Sequence, residues 1–184
     1  MVTENLARAF ASTRNVLEGM KGVDLDAPTP CSSWKVRDLV NHIVGGAHFF
    51  GFGTDGGAPP QAQDYDWSAG DVLADFDEGA RRAIAAFEAP GAQEKALTLP
   101  FGEYSGAAFM QLATSDAFTH GWDLAKATGQ STDLDPELAG QLLAAGGIPD
   151  QFRGPEPMPF GPVQEAPAGA TPADKWAAYM GRTV

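Results

Sequence analysis

The sequence predicts an all-α protein, an antiparallel four-helix bundle with two short C-terminal helices and an extended, proline-rich tail. Three observations carry that prediction. Apolar residues recur at three- and four-residue steps through four long segments. Strand-type alternation is almost absent, and glycine–proline clusters that stop helices fall between the segments. The 184 residues, 43% of them hydrophobic, suit one domain over residues 1–184.

The first helix is expected from about Thr3 to Met20, with Leu6, Phe10, Thr13, Val16, Leu17 and Met20 forming one apolar stripe. Gly22 and the Pro28/Pro30 pair end it and impose an extended linker. A second helix is expected from about Trp34 to Phe50, capped by Ser32 or Ser33, with Asp38 in the first turn where the helix dipole favours an acid. Residues 51–68 are rich in glycine and proline and read as a loop anchored by Trp67. The third helix spans about Ala69 to Glu88 and stops at Pro90–Gly91. Residues 95–101 look extended, with Pro100 arguing against a central strand. The fourth helix, about Ser105 to Thr128, closes at Gly129, where a left-handed residue is wanted. A shorter helix over about Pro136 to Ala145 follows. Six of the 14 prolines then fall between 155 and 172, which forces extended chain before a last helix from about Ala173 to Met180. The long loops on both sides of the third helix leave room for a crossover connection.

Twelve basic against 24 acidic side chains give a formal charge of −12. Such a surface repels phosphate backbones and anionic headgroups, so nucleic acid and membrane surfaces are not expected partners. The single cysteine, Cys31, excludes an internal disulfide, no apolar run reaches the length of a membrane span, and the first twenty residues lack the pattern of a signal peptide. A cytoplasmic location is the simplest expectation.

Three histidines are present: His42, His48 and His120. Helical spacing puts His42 on the flank of the inward stripe of the second helix and turns His48 towards solvent. Asp116 and His120 are four residues apart, one turn above each other on a face shared with Phe109, Leu112 and Ala113. A carboxylate on an inward face needs a partner. With a histidine from a facing helix, the set becomes two imidazoles and one carboxylate, which suits a divalent metal with an open position. Asp123, one turn further on, is placed to accept the second ring N–H of a ligating histidine. The same residues also fit an ordinary buried ion pair, and His42 a satisfied core histidine.

The stretches TPCSSWKVRDLVNHIVGG (29–46), SDAFTHGWDLAKATGQ (115–130) and FGPVQEAPAGATPADKWAAYMGR (160–182) resemble an actinobacterial family of metal-binding proteins in the DinB/YfiT-like superfamily. That family is related to the N-terminal domain of mycothiol-dependent maleylpyruvate isomerase. The resemblance covers nearly the whole chain and implies a DinB-like bundle with a metal at one end. It implies His42 as the first ligand, Asp116 as the acidic ligand and His120 as the last. Zinc is the first choice of metal, with nickel, iron or manganese as alternatives. Mycothiol is the implied thiol cofactor. Two departures matter. The isomerase places a glutamate where this chain has Asp116, a shorter arm that shifts a metal towards the fourth helix. It also carries a second, C-terminal domain for which a chain ending at Val184 has no room. Both argue against maleylpyruvate isomerisation itself and leave transfer chemistry with a thiol cofactor, or a related activity, open.

Cys31 reads as a small buried thiol beside Trp34 rather than a nucleophile. Trp34, Trp67, Trp122 and Trp176 read as large pieces of a small core, and Gly45–Gly46 as a close packing point. Spacing does not decide at which end of the bundle residues 101–104 lie. The preferred reading is a metal-dependent enzyme, transferase- or isomerase-like, acting on a small-molecule substrate or thiol. Its rivals are a bundle that binds metal and ligand without turnover, and a metal-free hydrogen-bonded network. A homodimer is compatible with each of them.

Overall fold

The computed structural model describes residues 3–54, 65–99, 101–146, 153–154 and 160–184. Four long helices form a closed ring: α1 (Glu4–Glu18), α2 (Val36–Gly53), α3 (Val72–Glu88) and α4 (Gly106–Ala127). Packing runs from α1 to α4, α4 to α2, α2 to α3 and α3 back to α1. The alternation of apolar residues read from the sequence faces this interior, with Leu6, Phe10, Leu39, Val40, Phe76, Phe87, Phe109 and Phe118 all buried. Two short helices, α5 (Pro136–Ala145) and α6 (Pro172–Tyr179), pack on each other, and α6 docks on α4.

Contacts fix the directions. Gly53 lies against Phe109 and Gly46 against Asp116, so α2 and α4 run antiparallel. Gly79 lies against His48, and Gly51 against Arg82 and Ala83, so α2 and α3 run the same way. The connection before α3 is therefore the crossover that its length allowed. Residues 55–64 within it, with Gly56, Gly57, Pro59 and Pro60, lie outside the described residues.

Local chemistry sets the helix ends. The Lys35 N–H donates to Asp38 Oδ2 at 2.9 Å, so α2 starts at Val36 and the expected caps Ser32 and Ser33 stay in the preceding loop. That helix also runs past Phe50 to Gly53. Its terminal glycines do not open a loop. A Cβ at Gly53 would sit 2.7 Å from the Phe109 ring, and one at Gly51 2.9 Å from Arg82, so they buy close packing. Asp71 accepts from Ala74 N–H at 3.1 Å and starts α3 at Val72, while Trp67–Ala69 forms a separate 3-10 turn. Ser105 caps α4, Asp135 caps α5 and Thr171 caps α6 in the same manner.

The extended reading of residues 95–101 holds for Ala96–Leu99 (β1), which is a strand; its antiparallel partner Gly102–Ser105 (β2) was not expected. The hairpin leads into α4 at the end opposite His120, about 20 Å away at 1.5 Å per helical residue. Phe101 at its tip is exposed and reaches Phe49 of α2. Pro100, and residues 155–159 of the proline-rich tail, lie outside the described residues; residues 161–167 form no regular secondary structure, and Gln164 N–H donates to Ala178 O of α6 at 2.9 Å. No described helix is long and apolar enough to cross a membrane.

Candidate metal centre

The crossing of α2 and α4 brings His42, Asp116 and His120 together. His42 Nε2 lies 3.3 Å and His120 Nε2 3.6 Å from the same oxygen, Asp116 Oδ1. The two imidazole centroids are 4.5 Å apart, and the indole of Trp34, from the loop before α2, lies 4.7 and 5.5 Å from them. Gly46 faces this point of the crossing, where a Cβ would make ordinary contact with Asp116 Oδ2 at 3.5 Å. The three side chains remain partly open, at 35%, 24% and 12% exposure.

His120 is also held on its other ring nitrogen. Its Nδ1 faces Asp123 Oδ2 at 3.0 Å. Asp123 is completely buried and is gripped by Arg182, whose Nε donates to Oδ1 at 3.0 Å and Nη2 to Oδ2 at 2.8 Å. With Nδ1–H donated there, Nε2 is the ring atom left on the side of Asp116, 3.6 Å from Oδ1. Either a proton, which makes an ordinary ion pair, or a cation can sit between that nitrogen and the carboxylate. Zinc ligands at 2.0–2.2 Å in tetrahedral array stand about 3.4 Å apart, close to the two nitrogen–oxygen separations of 3.3 and 3.6 Å, and all three ligand atoms lie within 4.8 Å of one another. The donor set therefore fits a divalent cation with a position left for an outside ligand.

The electrostatics agree. Burial alone would push Asp116 up, but the positive character of His42 and His120 outweighs it and holds the carboxyl below its usual range. Burial lowers His42, and the neighbouring Asp116 carboxylate more than restores it, leaving the imidazole raised. Binding a metal must displace that proton.

A second grouping, Cys31, His120 and Asp123, also lies close enough to share an ion. It is less suited. The Arg182 guanidinium occupies both Asp123 oxygens and approaches Cys31 Sγ at 3.5 Å. Burial and the Asp123 charge push the Cys31 thiol up to about 12, so it stays protonated and donates to Asp123 Oδ2 at 3.4 Å. A cation is already there, and it belongs to the protein.

His48 differs from expectation. It is half-buried rather than free in solvent: it stacks on Trp67 at 4.6 Å, and Nε2 meets Asp75 O at 2.9 Å, so it fastens the 3-10 turn and α3 to α2. The indole N–H groups of Trp122 and Trp176 bond to side chains, Asp174 and Thr119, rather than to backbone. Arg182 and the roofing role of Trp34 escaped the sequence reading. Both lie within the stretches that carry the family resemblance, but no helical period links them to His120.

Acid should weaken the fold through Asp123. Burial raises its carboxyl, yet the His120 hydrogen bond and Arg182 hold it at about 2, against an ordinary value near 3.9. A depressed folded value stabilises the protein above the unfolded value and is lost as pH falls through the folded one. About 2 kcal/mol is therefore expected to disappear between roughly pH 5 and 2. Denaturant melts of metal-free protein across that window check this, and in Asp123→Asn that part of the slope should vanish.

The ring of four helices with a two-histidine, one-carboxylate cluster between α2 and α4 defines a DinB-like bundle. The chain belongs to the Mycothiol maleylpyruvate isomerase N-terminal domain family, whose model matches residues 6–125. Two relatives from Mycobacterium tuberculosis, the "Uncharacterized protein MT0763" of strain CDC 1551 / Oshkosh and the "Uncharacterized protein Rv0738" of strain ATCC 25618 / H37Rv, are each 41% identical. Those matches cover 100% of this chain and 97% of each relative. A crystal structure of the mycothiol-dependent maleylpyruvate isomerase superposes with a TM-score of 0.57 at 14% identity, over 79% of this chain and 68% of that one. At that identity the likeness is one of fold.

Proposed function

We propose that the protein binds one divalent cation through His42, Asp116 and His120 and acts on a small thiol or a small electrophile. Zinc is the first choice, because two imidazoles and one carboxylate suit it. The observation that carries the reading is the convergence of two Nε2 atoms on Asp116 Oδ1 at 3.3 and 3.6 Å. When bound, such a cation supplies Lewis acidity, making water or a thiol a better nucleophile near neutral pH or polarising a carbonyl. The chain itself contributes the rest. Asp123 fixes the His120 ring, Trp34 shields one side of both imidazoles, and Gly46 leaves Asp116 uncovered. Mycothiol is the thiol to try first, given the activity named for the isomerase of the same fold.

One observation favours a second reading, capture of a ligand without turnover. The titratable neighbours Asp123 and Cys31 are both committed, one to Arg182 and the other as a protonated thiol, so neither stands ready as a general base. Zinc titration with a melting-temperature readout tests the shared premise. One equivalent should bind and raise the melting temperature by mass action, and chelator should reverse it. An unchanged melting temperature with and without zinc leaves only the hydrogen-bonded network. Turnover of a mycothiol conjugate by zinc-loaded protein then separates the enzyme from the binder.

A further inference from the structure

We infer that the C-terminal segment is part of the metal centre: Arg182 is a positioning residue that holds, through Asp123, the tautomer and orientation of His120. This rests on the metal reading above. Arg182 lies far beyond residue 125, where the family model's match ends.

A ligating imidazole needs its other nitrogen held as a donor. Asp123 provides the acceptor, but a carboxylate with one oxygen on a histidine can still turn about its own axis. The Arg182 fork removes that freedom by taking both oxygens, at 3.0 and 2.8 Å. Its remaining contacts fix the guanidinium in place. Nη1 donates to Met180 O at 3.0 Å, the backbone N–H donates to Ala177 O at 2.9 Å, and the side chain is only 12% exposed. Gly181 aims it. This residue turns the chain at φ +90°, and a Cβ there would lie 2.7 Å from Gly161 Cα, so the turn after α6 closes against the incoming tail only with glycine. Sequence, turn and fork thus lead from α6 to His120 in one chain of contacts.

The test uses the full chain and two readouts. Imidazole nitrogen–proton NMR of metal-free protein reports the His120 tautomer, and competition with a chromogenic chelator reports zinc affinity. In the unaltered protein Nδ1 should carry a proton hydrogen-bonded to Asp123. In Arg182→Gln the tautomers should mix and zinc affinity should fall by about 10- to 100-fold. Arg182→Lys, which keeps the charge but loses the fork, should recover part of that loss, and Gly181→Ala should reproduce the defect of Arg182→Gln. An Arg182→Gln protein with the original tautomer and zinc affinity within about threefold of the original overturns the inference, since outer partners of a ligand matter more than that. If Arg182→Gln does not fold, Arg182→Lys decides by the same two readouts: an unchanged tautomer and affinity overturns the inference. Failure of the unaltered chain to bind zinc is a separate result and counts against the metal reading, because the tautomer is measured without metal.

Discussion

Asp116→Ala is expected to reduce zinc affinity by well over the roughly 100-fold that loss of an outer partner costs, because it removes the atom on which both imidazoles converge. The metal-free fold should lose less. Asp116 is 24% exposed and pairs with two imidazoles that can shed their charge, so its removal should cost about 1–2 kcal/mol. Affinity and stability therefore separate in this variant, which distinguishes a ligand from a structural ion pair. Asp116→Asn should behave likewise, since a neutral amide is a poor ligand for zinc. Isothermal titration with zinc, alongside denaturant melts of chelator-treated protein, reads both quantities. A variant that loses several kcal/mol while binding zinc normally would assign the carboxylate to the fold alone.

The largest effect on stability is expected at Trp176. The residue is 1% exposed, its N–H donates to Thr119 Oγ1 at 2.9 Å, and with the Trp122–Asp174 bond it ties α6 to α4. Trp176→Ala should cost about 3–5 kcal/mol. Against the roughly 5–15 kcal/mol of an ordinary domain that is a large share, and the melting temperature should drop by about 10 °C. Trp176→Phe keeps most of the apolar contact and leaves the Thr119 hydroxyl bonded to Ser115 O, so about 1 kcal/mol is the expected cost. Because α6 carries Gly181 and Arg182, loss of its anchor should also weaken zinc binding. A melting temperature unchanged by Trp176→Ala would show that α6 contributes little to the body.

Much of this architecture was legible because helices announce themselves by period. The stripe of Leu6, Phe10, Thr13 and Leu17 could face only one way, and Asp116 with His120 had to share a face because they are one turn apart. Boundaries were harder. Ser32 and Ser33 looked like caps, but the Asp38 side chain reaches back to Lys35 N–H and sets the start there. Gly51 and Gly53 looked like loop formers, whereas Arg82 and Phe109 need the space that their missing Cβ atoms leave. His48 looked solvent-facing on the wheel, which knows nothing of Trp67 arriving from a later segment to stack on it. Of the hairpin only the first strand, Ala96–Leu99, showed as an extended stretch; its partner Gly102–Ser105 is too short to show alternation. Arg182 is the deepest case: its partner Asp123 lies 59 residues earlier, and only the folded chain joins them.

The central claim is that one cation is held by two imidazoles and a carboxylate, with a place left for an outside ligand. X-ray absorption at the metal edge of zinc-loaded protein tests it most directly. The account predicts a first shell of nitrogen and oxygen only, with two imidazole scattering patterns. A sulfur neighbour would move the metal to Cys31, and a shell of water oxygens without imidazole would leave His42, Asp116 and His120 as a hydrogen-bonded network.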